Sequence, residues 1–125
     1  MLGDTRMIIT VHNTKTSGTS QKISWSGVPP TAKSLALVMN DEGGIHYIIY
    51  NIPSNIQGLD GHAENKGLPE QAIVANNPYK EEGYSHDVYL VALRTVLSSS
   101  LADRPGDLLK EIWKHNIDMA VLLKK

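Results

Sequence analysis

The sequence predicts a mainly β fold, an antiparallel β-sandwich with a single C-terminal helix. Several short runs rich in β-branched and aromatic residues, separated by turns containing Gly, Pro and Asn, predict the strands. One late run instead repeats its apolar residues at helical spacing. With 125 residues the chain has the size of one domain, and we assign residues 1–125 to it.

The strands are predicted in chain order from their residue types. After an early strand "MIITVH" (7–12) and a polar loop, "KISW" (22–25) predicts a second strand. The strongest predictions are "SLALVM" (34–39) and "HYIIYNI" (46–52), whose spacing predicts a hairpin with a loop longer than the tightest class. Two further strands are predicted at "QAIVA" (71–75) and "HDVYLVAL" (86–93).

The helix is predicted in "DLLKEIWKHNI" (107–117), where Leu108, Leu109, Ile112 and Trp113 form one apolar stripe. Asp107 precedes this stripe and is the expected N-cap. We expect the helix to pack at one end of the sandwich. The tail "DMAVLL" (118–123) is compatible with a last strand and with a continuation of the helix.

Composition limits the core and the class of protein. Because the chain has no Phe, its aromatic core is expected to consist of Trp25, Tyr47, Tyr50, Tyr89 and Trp113. A formal net charge of -1 gives no electrostatic reason to expect nucleic-acid binding. No apolar run approaches the roughly 20 residues that span a bilayer, so membrane insertion is not expected. The absence of cysteine and of an N-terminal apolar signal segment favours a cytoplasmic location.

Several blocks of the sequence resemble one known family. They are "ISWSGVP", "SLALVM" followed by Asp41, "HYIIYNIP", "GLPE", "YLVAL" and "LLKEIWKHNIDMAVL", and they occur in the order typical of the phosphatidylethanolamine-binding protein family. The resemblance extends from about residue 22 to residue 123 and is greatest to the bacterial and archaeal Raf-kinase-inhibitor-like branch. It implies a sandwich of a large and a small antiparallel sheet, with a small anion pocket at one end.

The resemblance also implies site residues. The first Asp of the family's pocket block falls on Asp41, the His that opens the following strand falls on His46, and the second pocket His falls on His86. Trp25 is interpreted as a core residue or as a pocket wall, and Tyr84 as a lining residue. A carboxylate beside two imidazoles favours protonated His, whose N–H groups suit a phosphoryl or carboxylate oxygen. Asp41 before Gly43 is equally compatible with a simple turn residue.

The sequence departs from the family pattern around these residues. The family's Gly- and Pro-rich loop between a Gly-Tyr pair and the second pocket His is reduced to Ser85 alone, which predicts a wider and wetter site. Asn51 and Pro53 match the family block and are expected to shape the chain rather than to contact ligand. We interpret His12, His62 and His115 as surface residues.

The expected function is a small binding module for a phosphorylated or other anionic ligand, without catalysis and without a cofactor. One alternative is a protein-interaction regulator of the kinase- or protease-inhibitor kind with a vestigial pocket. Another is a metal site or hydrolase, since two His and one Asp are acceptable metal ligands. Against catalysis, the sequence contains no nucleophile elbow, no zinc-protease motif and no phosphate-binding loop. A homodimer remains open.

Overall fold

The computed structural model of the chain describes residues 7–13, 21–41, 44–59, 71–75 and 87–122. Within these ranges the fold is eight strands, a short 3-10 helix (Ser99–Asp103) and one α-helix, α1 (Pro105–Lys114). The strands are β1 (Ile8–Asn13), β2 (Gln21–Ser26), β3 (Ser34–Asp41), β4 (Gly44–Ile52), β5 (Gly58–Leu59), β6 (Ile73–Val74), β7 (Asp87–Leu93) and β8 (Asn116–Leu122).

The strands form two antiparallel sheets, as the sequence predicted. The small sheet has the order β1-β2-β5 and the large sheet has the order β6-β4-β3-β7-β8. β3 and β4 form the predicted hairpin, but its connection is shorter than expected, because Asp41 pairs with Gly44 and only two residues lie between them. This is the tightest common hairpin class, and it is compatible with the glycines at the turn.

The large sheet is buried on both faces, because alternate residues of its central strands contact different layers. Leu35 and Leu37 of β3 pack with Ile23 and Trp25 of the small sheet. The intervening residues of β3, together with Tyr50 of β4, pack with the helical layer instead. The prediction that the helix packs at one end of the sandwich is therefore wrong, since α1 covers a face of the large sheet.

Helix α1 differs from its prediction at its start and on its surface. It begins at Pro105, with Arg104 at the N-cap position and no side-chain capping bond, so the assignment of Asp107 as the N-cap is wrong. Proline at the first helical position already has the helical φ, and it sets the boundary upstream of Asp107. Leu108 and Ile112 are fully buried, whereas Trp113 is 45% exposed.

The exposure of Trp113 corrects the predicted aromatic core. Trp25 and Tyr50 are buried and Tyr89 is half-buried, while the side chain of Tyr47 lies outside the described residues. A helix on a sheet buries a narrow stripe, here the Leu108 and Ile112 positions four residues apart. Trp113 lies beyond that stripe. After His115 the chain enters β8, so the tail is a strand and not a continuation of the helix.

Candidate functional site

The β3–β4 hairpin positions two of the predicted site residues at one end of the large sheet. Asp41 is the last residue of β3 and pairs with Gly44 at the start of β4. β3 is a central strand, with β4 on one side and β7 on the other. This end of the sheet therefore contains the end of β3, the start of β4 and the start of β7.

His46 occupies an irregular position of β4. The register runs from the pair Met39–Tyr47 directly to the pair Asn40–Ile45, so His46 is the extra residue of a β-bulge. Bulges locally disrupt the ladder and are frequent next to binding sites, where they re-aim a side chain. The structure thus brings the backbones of Asp41 and His46 to the same end of one hairpin, as the sequence predicted.

His86 and Tyr84 lie outside the described residues. The next residue along the chain, Asp87, is the first residue of β7 and pairs with Asn40. The described register of β3 with β7 therefore ends one residue short of both Asp41 and His86 along the sequence. The grouping of His86 and Tyr84 with Asp41 stays a prediction.

Trp25 is a core residue whose polar atom is already bound. Its side chain is 4% exposed, and its indole N–H donates to the carbonyl oxygen of Ile56 at 2.7 Å. Its backbone N–H donates to the carbonyl of Gln57 at 2.9 Å. Through these two hydrogen bonds Trp25 connects the segment after β4 to the small sheet. Its indole N–H is not available to a ligand in this arrangement.

Asn51 shapes the chain, as the sequence predicted for this position. It is buried and has a left-handed backbone with φ of 58°. Its amide nitrogen donates to the carbonyl of Leu97, and its amide oxygen accepts from the N–H of Leu97, both at 2.8 Å. These bonds connect β4 to the segment before the 3-10 helix, 46 residues along the chain.

Tyr50 reinforces the same connection. Its hydroxyl lies 3.0 Å from the carbonyl oxygen of Ser98 and 3.2 Å from that of Ser99, and donates to them. Burial raises the pKa of this hydroxyl, and nearby Asp103 raises it further, against a lowering by the backbone of Ala102. Tyr50 therefore stays a neutral donor at neutral pH. Sequence reasoning assigned it only to the core, because its hydrogen-bond partners are distant in sequence.

The described side chains contain no group of three or more His, Asp or Glu residues placed to hold a metal ion. The predicted set of Asp41, His46 and His86 is not among those side chains, so the metal alternative is not tested by this observation. His115, predicted at the surface, is partly exposed and follows α1, and its Nε2 lies 3.3 Å from Oε1 of Glu111 in that helix. No helix in the described ranges has the length and apolar character needed to cross a membrane.

Comparison with known proteins agrees with the fold. The sequence model of the family described as "PBP: Phosphatidylethanolamine-binding protein" matches residues 6–122. A UPF0098 protein from the archaeon Methanothermobacter thermautotrophicus is 32% identical over 120 residues, which cover 83% of this chain and 80% of the relative.

Two crystal structures show the same fold. A phosphatidylethanolamine-binding protein homologue, CT736 from Chlamydia trachomatis, superposes with a TM-score of 0.65 at 26% identity, covering 95% of each chain. E. coli YbcL, described as a member of the mammalian family, gives a TM-score of 0.61 at 20% identity, covering 94% of this chain and 95% of YbcL. With a family match over most of its length, this chain belongs to the phosphatidylethanolamine-binding protein family.

Proposed function

We propose that the protein is a small, non-catalytic binding protein whose site lies where the β3–β4 hairpin ends, and that it takes an anionic, phosphoryl-type group. The observation that carries the proposal is the strand register, in which Asp41 and the bulge residue His46 share one sheet end with Asp87, the neighbour of His86 in the chain. Family membership supports the ligand class, since the family is named for a phospholipid whose head group contains a phosphodiester.

The alternation along β3 also supports this site. Leu35 and Leu37 contact the small-sheet side, and Met39 packs against the same cluster. Asp41 is the next residue in this series of alternate positions, after which the hairpin turns. In the proposed site the Asp41 carboxylate stands beside the imidazoles of His46 and His86, where it would favour protonated His and therefore donors for an anion.

The missing Gly- and Pro-rich loop before His86 argues for weak binding. Fewer backbone N–H groups are then available to share the ligand's charge, and a wider site leaves the His and Asp groups better solvated. Affinity should consequently depend on the charge of histidine more than on a preformed cradle. We also propose a cytoplasmic location, because the chain has no cysteine and disulfides are typical of oxidising compartments outside the cytosol.

The proposal is tested by a proton-nitrogen NMR titration with inorganic phosphate and with phosphorylethanolamine, at about pH 6 and about pH 8, where the charge of histidine differs. We expect shifts that cluster at Asp41, His46 and His86 and are larger at the lower pH. His46→Gln should remove these shifts. His115→Gln is the matched control, because His115 follows α1 and its ring lies beside Glu111.

The two ligands and the control separate the explanations. Equal responses to both ligands assign recognition to the phosphoryl group alone, and a stronger response to phosphorylethanolamine adds its ammonium group. Shifts that are scattered, or that survive His46→Gln, would contradict the site and favour the protein-interaction regulator. A response only after addition of a divalent metal would favour the metal-site alternative.

A further inference from the structure

Strand β8 forms a long edge of the large sheet. In the described part of the chain it pairs with β7 on one side, and no described strand pairs with its other side. The opposite edge strand, β6, has two described residues, as does β5 at one edge of the small sheet. β8 has seven residues and carries exposed Met119 and Val121, which are 38% and 43% accessible. Long edges with exposed apolar residues are templates for pairing with another chain.

The core-facing positions of β8 contain one charge. Ala120 is buried in the core between the two sheets, and Leu122 packs against that core. Asp118 occupies the preceding alternate position and pairs with Ala92, which is fully buried in the same core. Asp118 itself is only half-buried. A carboxylate therefore stands at the rim of the inter-sheet core, on the side of the strand that is otherwise apolar.

The backbone of β8 is also altered beside Asp118. The carboxylate of Asp118 accepts the N–H of Met119 at 2.9 Å, so this N–H is already bound within its own strand. The register with β7 shifts between the pairs Ala92–Asp118 and Leu93–Asn116, which makes Ile117 the extra residue of a bulge. A bulge twists an edge strand away from the flat geometry that an incoming strand requires.

We propose that β8 is a protected sheet edge and that Asp118 is the residue that keeps a second copy of this chain from pairing along it. A strand added beside β8 would compete with Asp118 for the Met119 N–H. It would also enclose the carboxylate, since β1 of the small sheet already lies close to β8. Burying an unpaired carboxylate is costly, and this cost offsets the gain from covering Met119 and Val121.

The test is sedimentation velocity of the full chain over a range of concentrations, comparing wild type with Asp118→Val. Valine removes the charge, frees the Met119 N–H and favours strand pairing. We expect Asp118→Val to associate reversibly to about twice the wild-type mass, as an antiparallel twofold pair of β8 strands requires. Hydrogen exchange should then slow at the amides of Met119 and Val121.

Two further variants separate edge pairing from a general effect of an added apolar residue. Asp107→Val removes an exposed carboxylate from α1, away from the edge, and should sediment like the wild type. Asp118→Val combined with Met119→Lys restores a charge to the same edge and should return the mass to the wild-type value. The proposal is overturned if Asp118→Val sediments like wild type at every concentration, if Asp107→Val associates equally, or if Met119→Lys fails to reverse the association.

Discussion

Asn51 combines two features that are individually uncommon, a left-handed backbone and a buried side-chain amide that is hydrogen-bonded through both its nitrogen and its oxygen. It lies in the register shift that separates the pairs Leu35–Ile52 and Leu37–Ile49. This shift lets Ile52 and Ile49 both face the inter-sheet core while Tyr50 faces the helical layer. Asn is among the few residues that adopt this backbone readily, and its amide pairs with the backbone of Leu97 as a neighbouring strand would.

We expect Asn51→Ala to lower the free energy of unfolding by about 2 to 4 kcal/mol, because it loses two buried hydrogen bonds and because alanine adopts the left-handed backbone less readily than asparagine. Asn51→Gly loses the same bonds without that strain. It should retain about 1 kcal/mol more stability than Asn51→Ala. Urea denaturation followed by circular dichroism measures both. Equal losses, or a larger loss for glycine, would contradict the role given to the backbone conformation.

Sequence reasoning predicted the positions of single residues well where those positions depend on near neighbours in the chain. Asp41 and His46 are five residues apart around a Gly-Gly turn, so their placement on one hairpin end could be predicted from spacing alone. The bulge at His46 and the binding of Leu97 by Asn51 could not. They depend on strand register and on contacts between distant parts of the chain, which local patterns do not contain.

Helices and strands, too, were predicted where a local pattern determines them and were missed where pairing with a distant segment does. β3, β4 and β7 were predicted because continuous apolar runs bounded by turns indicate buried strands. The start of α1 was predicted at Asp107, because an acidic residue is typical of a helix beginning. Proline is typical of it too, and the helix begins at Pro105. β5 was missed, since a two-residue strand has no periodicity of its own and exists through its pairing with β2.

Substitution by alanine is expected to have opposite effects on stability at two glycines, one in the β2–β5 pairing and one in α1. A Cβ at Gly58 would lie 2.7 Å from the backbone oxygen of Ile23 and 3.2 Å from Cα of Ser24, so Gly58→Ala requires β5 to move away from β2. We expect a loss of about 1 to 3 kcal/mol, the usual range for overpacking. Gly106 lies in α1, where a Cβ would meet nothing within 4 Å outside its own helix, and Gly106→Ala should stabilise by up to about 1 kcal/mol.

Urea midpoints of the two alanine variants measure this contrast, and each serves as the control for the other, since both make the same chemical change. Trp25 provides a local readout, because it binds the backbone of Ile56 and Gln57 next to Gly58. Gly58→Ala should shift its fluorescence and Gly106→Ala should leave it unchanged. A Gly58→Ala protein with wild-type stability and emission would show that β5 does not need its close approach to β2.

At the scale of the whole molecule, the large sheet is shared by two apolar clusters. Neighbouring residues of one strand belong to different clusters, as Leu90 and Val91 of β7 do, and both are fully buried. Removing the helical layer would expose one entire face of β3, β4 and β7, while opening the small sheet would expose the other. Loss of either layer would weaken the strands of the large sheet on which the other layer packs. Unfolding should therefore be a single cooperative event.

The two tryptophans report separately on these layers, because Trp25 lies in the inter-sheet core and Trp113 on α1. In Trp113→Phe, fluorescence follows the inter-sheet core, and in Trp25→Phe it follows the helix. We expect the urea midpoint from fluorescence to coincide with that from far-ultraviolet circular dichroism within each variant, although Trp25→Phe should be the less stable of the two. An earlier fluorescence transition in Trp25→Phe alone would mean that the helical layer unfolds first, and that the polar contacts of Tyr50 and Asn51 do not couple it to the sheet.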